Sequence, residues 1–388
     1  MATRRQGFAR ARRAAGLSQE ALAAVLGIDR STVVRWEAGD TEPQPWIRPK
    51  LARTLAISPA VLAELLDAVA PVSTAPTDAL PADCDEGRNV STVVVAALRL
   101  QLQQVQFEYD MAPSAGLLVA ASQHHGRVTH LRHQVSAPRV RRELWALEAE
   151  SATLMGQLIW DASQRRDHTS PRTYFNQAIE AARRIGDATG EAYATLRKSY
   201  LSLYGEKAPH RGLRCAQSAA DVGMAASPAL AGLSLLHVAE AHAMLGEPRA
   251  CESALEQARG QLCHVGDADA AGEYLTPVEI ERMAGSCYLF LGLPQKAEPI
   301  LHGVAQSLAS KKKSQSIVLG NLALAHTRQG ELEAAAQALH RAIDALEDTR
   351  GGGGLNLAFE AGRELRPWRA EPAVQELHDR LFTLMSPG

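Results

Sequence analysis

The chain has 388 residues, a formal net charge of −2, and 46% hydrophobic but only 5% aromatic residues. This length exceeds what one compact core usually holds, so we expect two or more domains. The near-neutral charge excludes a chain that binds nucleic acid along its whole length, and the low aromatic content favours helices packed through Ala and Leu. The charge is uneven, however. Residues 1–70 hold ten basic and seven acidic side chains, a modest positive field of the kind that attracts nucleic acid.

The cysteine pattern and the hydropathy indicate the compartment. None of the five cysteines forms a C-x-x-C pair, so we expect reduced thiols. The basic N-terminus lacks the apolar run of a signal peptide, and no stretch approaches the ~20 apolar residues of a membrane span. We therefore expect a soluble, cytoplasmic protein without a membrane partner. Four histidines, at 124, 125, 130 and 133, have no Cys or acid at ligand spacing, so we interpret them as solvated or partly packed surface and expect no metal or cofactor.

Residues 8–15 predict a first helix, and residues 16–39, GLSQEALAAVLGIDRSTVVRWEAG, predict two short helices joined by a tight turn. Ser18 can cap the earlier of the two, because its hydroxyl accepts a bond from an otherwise unpaired backbone N–H. Gly27 ends that helix, since a residue without Cβ adopts the left-handed conformation needed there. Val33 and Trp36 supply the buried side of the later helix. Its outer face then carries the side chains that a helix in a DNA major groove would present: Arg30, Ser31, Val34 and Arg35.

This stretch resembles the Xre/Cro-type helix-turn-helix of the lambda-repressor-like fold. The matching residues are Arg12, GLSQ at 16–19, Leu22, Ala23, Leu26, Gly27, Ser31, Val33 and WEAG at 36–39. The similarity continues through TEPQPWIRPKLARTLAISPAVLAELL, which matches the fourth and fifth helices of that fold, at about 45–55 and 58–68. The resemblance implies a five-helix DNA-binding domain over residues 1–70.

The resemblance also implies roles for individual side chains. Gln19 would contact a DNA phosphate, and Arg12 and Glu37 would form the internal ion pair of the family. Trp36 occupies a position where a smaller residue is more usual, so we expect it to be partly exposed and to touch the DNA backbone. The residues expected at the DNA are Gln19, Arg30, Ser31, Thr32, Val34, Arg35 and Trp36.

Residues 71–90 change in character. Three prolines, four acids and several small residues interrupt any periodicity, which predicts a linker. Residues 91–388 then read as helices only. Around Gly246, Gly292 and Gly330, small residues recur at the same offsets, as two helices require where they cross closely. This pattern resembles the tetratricopeptide repeat, with weaker units at 139–220. The glycines at 351–354 would form a flexible connector to a helical cap, at about 355–366 and 371–385.

We therefore predict an all-α chain, in which a lambda-repressor-like domain is followed by a tetratricopeptide-like α-solenoid with a concave groove. The repeat register places several side chains on the inner face of that groove, where they could pair with the backbone or a carboxylate of a bound peptide. They are Leu236, Glu240, Arg282, Ser286, Gly320, Asn321 and Leu324, and farther back Arg197 and Tyr200 could join them. The candidate ligand-binding residues among these are Arg197, Tyr200, Glu240, Arg282 and Asn321.

The layout resembles the peptide-receptor regulators of Gram-positive bacteria. It implies a dimeric, sequence-specific transcriptional regulator of double-stranded DNA, whose repeats bind a signal peptide, a small ligand or a protein. The alternative is an adaptor whose repeats bind a transcription component and whose DNA-binding unit only tethers it. No nucleophile–base pair or paired-carboxylate motif suggests an enzyme.

Overall fold

In a computed structural model of the protein, the chain divides into two compact units, Met1–Asp83 and Cys84–Gly388. The structure describes residues 6–15, 17–26, 28–38, 41, 43, 48–55, 57, 62, 65–66, 92–269, 271–308, 311–349 and 352–385. These described residues contain helices and no strand, as predicted. The predicted linker, 71–90, lies outside the described residues.

The described helices of the first unit pack around one apolar core. They are α1 (Gln6–Ala14), α2 (Gln19–Leu26), α3 (Arg30–Ala38) and α4 (Arg48–Thr54). Ser18 caps α2 as predicted, since its Oγ accepts a bond from the backbone N–H of Ala21 at 3.0 Å. The expected fifth helix, 58–68, lies largely outside the described residues, but Leu62 and Leu66 are buried in the same core as Phe8 and Leu22.

Trp36 belongs to this core. The expectation that it is partly exposed is wrong, because only 3% of the residue is accessible. Val33 and Trp36 lie three positions apart on α3 and therefore share one face, which packs against Leu22 and Leu26 of α2. The large indole packs in a core whose other buried apolar members, among the described residues, are Leu, Ala, Val and Phe8. Trp36 thus serves as a packing residue of the first unit.

The second unit is an array of antiparallel helices. It begins with α5 (Thr92–Glu108) and α6 (Ser114–Gln134) and continues in hairpins. Their helices are α7 (Pro138–Ala162), α8 (Thr169–Ile185), α9 (Ala188–Tyr200), α10 (Pro209–Gly223), α11 (Pro228–Met244), α12 (Pro248–Leu262), α13 (Pro277–Phe290), α14 (Pro294–Ser307), α15 (Lys312–Gln329) and α16 (Leu332–Thr349). The array ends with α17 (Gly352–Glu364) and α18 (Pro372–Met385).

The turn glycines and the small seam residues act as the repeat pattern predicts. Gly246, Gly292 and Gly330 have φ values of 72°, 71° and 79°, a left-handed conformation that glycine adopts without strain. Gly285 allows close crossing, because a Cβ there would lie 2.7 Å from Leu301 Cδ2. Cys251 is fully buried in a comparable seam. Small side chains therefore set how closely the two helices of each hairpin approach.

The glycine run at 351–354 is not a flexible connector along the part that the structure describes. Gly352, Gly353 and Gly354 form the first turn of α17 and are buried. A Cβ on Gly353 would lie 2.9 Å from Arg165 Nη1, and a Cβ on Gly354 would overlap the Ser316 side chain. Gly354 therefore allows α17 to pass close to α15, and Gly353 leaves room for the Arg165 side chain, which follows α7.

A second set of contacts brings the late helices of the array back to its first helices. Lys313 Nζ on α15 donates a hydrogen bond to Ser114 Oγ on α6 at 3.0 Å. The same ammonium lies 3.9 Å from the centre of the Tyr109 ring, and Tyr109 Oη donates to Asp161 Oδ2 on α7 at 2.7 Å. Together with the contact between α17 and α7, these bonds close the array on itself.

The four histidines on α6 divide into two groups. His130 and His133 are exposed, as interpreted from the sequence, but His124 and His125 are buried, with 5% and 8% of each residue accessible. Both ring nitrogens of His124 lack a hydrogen-bond partner within the described part of the chain. Burial lowers the pKa of His124 and of His125 below the ordinary histidine value. The folded chain therefore holds these two rings neutral.

This burial predicts that the protein loses stability in mild acid. Below the usual histidine pKa of about 6.5, the unfolded chain binds protons at His124 and His125 that the folded chain resists. The stability that these two neutral rings contribute is therefore complete above that pH. It is lost as the pH falls towards the lower pKa values that the two histidines have in the folded chain. Urea unfolding at about pH 7.5 and 5.5 measures the loss, which His124→Leu should reduce. The exposed control His130→Leu should leave it unchanged, and equal losses in both variants would contradict this assignment.

No described helix has both the length and the apolar composition that crossing a bilayer requires.

Candidate functional site

The outer face of α3 carries the side chains expected at the DNA. Arg30, Ser31, Val34 and Arg35 are exposed, and Thr32 is half-buried. Arg30 Nε pairs with Glu20 Oε1 at 2.6 Å, but both side chains are about 60% accessible, so water screens this pair strongly. Among the described residues, Arg35 has no hydrogen-bond or ion-pair partner. The face therefore presents one unpaired guanidinium and a second that is only weakly held.

The opposite side of α3 is anchored through Glu37. Arg12 Nε of α1 donates to Glu37 Oε1 at 2.6 Å, and Gln19 Nε2 of α2 donates to Glu37 Oε2 at 2.7 Å. Arg12 Nη1 also donates to the Leu17 carbonyl at 2.7 Å. One carboxylate thus joins three helices and fixes the angle at which α3 is presented. The expected phosphate contact of Gln19 remains a prediction, since its amide here binds Glu37.

The second unit encloses a cavity of about 1510 Å³. This cavity is lined by the five candidate ligand-binding side chains, Arg197, Tyr200, Glu240, Arg282 and Asn321, and by Ser286. Leu236, Gly320 and Leu324, which were also predicted for the inner face, do not line it, because they are buried. Aromatic residues are concentrated there, because five of the chain's seven tyrosines also line it: Tyr109, Tyr193, Tyr200, Tyr204 and Tyr274. The lining includes nine Lys and Arg residues and seven Asp and Glu residues, a small positive excess. The cavity therefore offers aromatic surface beside both kinds of charge.

One wall of the cavity carries a connected polar network. Glu240 accepts hydrogen bonds from Tyr204 Oη and, at 2.6 Å, from Ser286 Oγ. Burial alone would raise the pKa of Glu240, but bonds from His237, Ser286 and Tyr204 lower it below its ordinary value. The carboxylate is therefore ionised. Because Tyr204 Oη donates to Glu240, His237 Nδ1, 2.8 Å from that oxygen, acts as a donor. His237 Nε2 is then a buried acceptor that has no partner among the residues the structure describes.

Arg282 and Arg197 differ in how their charges are balanced. Arg282 Nε donates to Glu279 Oε2 at 2.8 Å, three positions earlier on α13. Arg197 Nη2 instead donates to the neutral Tyr193 Oη at 2.8 Å. The guanidinium also lies 4.9 Å and 5.3 Å from the ring centres of Tyr193 and Tyr200. Arg197 therefore makes cation–π contacts but forms no ion pair with any described residue.

Sequence reasoning missed several of these residues, although signals for some were present. Tyr193, Arg197, Tyr200 and Tyr204 recur every three or four positions, which places them on one helical face. A π-helical turn, Leu201–Gly205, follows α9 and carries Tyr204 into the same wall. Glu279 precedes Arg282 by three positions, the spacing of a helical ion pair. His237 precedes Glu240 by the same three positions, so this contact also had a signal. The contact of His237 with Tyr204 had none, because the two residues are 33 positions apart.

A serine–histidine pair also went unrecognised. Ser151 Oγ and His125 Nδ1 lie 2.9 Å apart, the separation of a nucleophile and its base. Both residues are buried, and neither lines the cavity. His125 Nε2 faces the Gln177 amide at 3.3 Å. Within the described residues, no group of His, Cys, Asp and Glu is arranged to hold a metal ion.

A family model described as Helix-turn-helix matches residues 8–62. This part of the chain is a helix-turn-helix unit. The match covers α1 to α4, and α3 has the place of the second, recognition helix. The predicted layout, a helix-turn-helix unit followed by helical repeats, is therefore confirmed.

Among solved structures, the chain is similar to a Rap protein complexed with competence and sporulation factor. The sequence identity is 12% and the TM-score 0.48, and the match covers 98% of each chain. It is also similar to the apo form of the quorum sensor NprR from B. thuringiensis, at 12% identity and a TM-score of 0.42, over 76% of this chain and 88% of that one. No curated protein was found to match the chain.

Proposed function

We propose that the chain is a sequence-specific DNA-binding transcriptional regulator. In this proposal the helix-turn-helix unit reads DNA through α3, and the cavity of the second unit binds a short peptide that controls this activity. The observation that carries the proposal is the two-sided construction of α3. Its inner side is fixed by Trp36 and Glu37, while Arg30, Ser31 and Arg35 are exposed on its outer side.

The charges of α3 suit a major groove. The unpaired Arg35 can approach a base edge or phosphate without breaking an internal contact. Arg30 would exchange a solvent-screened pair with Glu20 for a contact to DNA, which costs little. Arg binding to guanine through two hydrogen bonds is the commonest specific contact of such helices. Ser31 and the half-buried Thr32 would add hydroxyl contacts on the same face.

The regulator would act as a dimer. The exposed face of α5 supports this, because Val93, Leu100 and Phe107 follow one another at seven-residue intervals with 73%, 67% and 80% of each residue accessible. A second copy of α5 would cover such a stripe in a two-fold arrangement. The operator would then be an inverted repeat with half-site centres about one helical turn, or a multiple of it, apart.

The size of the cavity favours a peptide as the ligand. Pockets for single small molecules commonly have volumes of about 300–1,000 Å³, whereas this cavity has about 1510 Å³. The amide of Asn321 and the carboxylate of Glu240 offer partners for peptide backbone groups. The tyrosines offer surface for apolar side chains. A stoichiometric protein that co-purifies with the repeats would instead favour the adaptor.

Selection of bound sequences from a random duplex pool tests the proposal. The full chain should enrich an inverted repeat at about 150 mM salt, where nonspecific phosphate contacts are weakened. Arg35→Ala or Arg30→Ala should weaken binding to that sequence by about 1–3 kcal/mol if the side chain reads a base edge. Arg341→Ala, which removes an exposed charge from the second unit, is the matched control. If both α3 variants bind the enriched DNA sequence with the same preference as the wild-type protein, another surface reads the DNA.

A further inference from the structure

We infer that the cavity holds its ligand through a carboxylate group that pairs with Arg197. This inference rests on the proposed function, because it names the chemistry by which the cavity would recognise a peptide. The carboxylate could be the free C-terminus of the peptide or the side chain of an acidic residue. Both present the same planar monoanion to the guanidinium.

The position of Arg197 makes it available from the cavity. It lies on α9 among the cavity-lining residues, between Tyr193 and Tyr200, and is half-buried. The two tyrosine rings cover much of the guanidinium by cation–π contact. They thereby reduce the contact of the charge with water, while the residue still lines the cavity. A desolvated cation of this kind interacts strongly with an anion that reaches it.

The hydrogen bonds of Arg197 leave part of the guanidinium unused. Tyr193 Oη accepts from Nη2 at 2.8 Å. The orientation of the Gln157 amide on α7 is assigned from its hydrogen bonding, which turns its oxygen towards the guanidinium. In this orientation the oxygen accepts from Nε at 2.8 Å and from Nη1 at 3.1 Å. These bonds use three of the five N–H groups of an arginine. Two N–H groups therefore remain, which is the number that a bidentate carboxylate needs.

Two of the other arginines that line this cavity are paired with acids. Arg282 is bound by Glu279, and Arg165 Nε pairs with Asp161 Oδ1 at 3.2 Å. The remaining three, Arg166, Arg363 and Arg366, have no ion pair among the described residues, but they are exposed to water, whereas Arg197 is half-buried. Arg197 also has no acidic partner in the described chain, and the two groups that bind it, the Tyr193 hydroxyl and the Gln157 amide, are neutral. A bound anion would supply the counter-charge that Arg197 lacks in the described chain.

The neighbourhood of Arg197 selects the kind of anion. A phosphate carries up to two negative charges and is usually held by several cations. Here one guanidinium stands beside a neutral amide and neutral phenols, which suits a single negative charge. The rings of Tyr193 and Tyr274 are stacked, with centroids 6.1 Å apart, and provide apolar surface close by. We therefore expect the carboxylate to belong to a residue with an apolar or aromatic neighbour.

The test uses the full-length protein and two pools of synthetic hexapeptides of random sequence. One pool has free C-termini and the other has amidated C-termini. After size-exclusion chromatography, mass spectrometry identifies the peptides that the protein retains. If the protein retains peptides with free C-termini at least about tenfold better than amidated peptides, the C-terminal carboxylate is the anchor. Amidated peptides that are retained only when they contain Asp or Glu would identify an acidic side chain instead.

Variants at Arg197 link this selectivity to the residue. Arg197→Gln should lose preference for carboxylates, whereas Arg197→Lys, which keeps the charge but not the fork, should keep the preference at reduced affinity. Arg341→Gln removes an exposed arginine elsewhere and should behave as wild type. Thermal unfolding of each variant checks its fold. If Arg197→Gln does not fold, the inference is still tested by comparing the two peptide pools on the wild-type protein and by measuring the affinity of Arg197→Lys.

The outcomes that overturn the inference are distinct. If the wild-type protein retains amidated peptides without acidic residues as well as it retains free ones, the carboxylate anchor is wrong and the peptide-binding function stands. The same conclusion follows if the Arg197→Gln variant is folded and shows the same preference for peptides with a carboxylate as the wild-type protein. If the wild-type protein retains nothing from either pool, both the peptide-binding function and the anchor are wrong.

Discussion

A chain carrying Glu37→Ala is expected to lose about 3–5 kcal/mol of stability in its helix-turn-helix unit, because one partner of a buried ion pair is removed. The side chains of Arg12 and Glu37 are only 9% and 12% accessible. Without the carboxylate, the guanidinium of Arg12 stays buried without its counter-charge, and Gln19 loses its acceptor as well. A loss of this size is a large fraction of the stability of most domains.

Amide hydrogen exchange on the native full-length protein measures this loss, since it reports the opening of α1 to α3 separately from the second unit. Glu20→Ala is the matched control. It also removes one carboxylate paired with an arginine, but that pair is solvent-exposed, so protection should change little. Equal protection of α1 to α3 in both variants would mean that the Arg12–Glu37 pair does not hold the unit together.

Trp36→Ala is expected to destabilise the same unit by about 3–5 kcal/mol, because it removes the largest side chain of a small core and leaves a cavity. Pulse proteolysis in increasing urea should show the N-terminal segment cleaved at a lower denaturant concentration than in wild type. Val34→Ala, two positions earlier on the exposed face, is the control and should leave the midpoint nearly unchanged.

The tryptophan variant also separates two roles of that residue. If Trp36 contacted the DNA backbone, its replacement would weaken DNA binding and leave the proteolysis midpoint unchanged. If it packs in the core, the midpoint falls and DNA binding is lost with the fold. An unchanged urea midpoint would therefore show that the buried side chain of Trp36 does not stabilise the unit.

Much of the fold follows from local features that a sequence displays. The cap at Ser18 and the left-handed glycines at 246, 292 and 330 lie where the backbone requires them, so helix ends and turns were predictable. Trp36 illustrates the limit of comparison with a family. Its spacing from Val33 indicated burial, whereas its size relative to the usual residue suggested exposure. The helical period proved the better guide.

The prediction of a flexible connector at the glycine run 351–354 was wrong for a physical reason. Gly352 to Gly354 are glycines because α17 passes close to α7 and α15, and a run of glycines reads the same in a connector as at a close approach. The cavity illustrates the same limit. The repeat register placed Glu240, Arg282 and Asn321 on one inner surface, but Lys313 and Tyr109 meet only because distant helices are brought together.

The closing contacts have a consequence for the order in which the second unit forms. In an open array, each hairpin contacts only its neighbours, so hairpins can be gained or lost without harm to the rest. Here the Lys313–Ser114 bond joins residues 199 positions apart in the chain. Local hairpins form quickly, whereas a contact of such long range must wait until the intervening helices are in place. Deleting or duplicating one hairpin would leave these partners unable to meet, so closure constrains the number of repeats that this chain can carry.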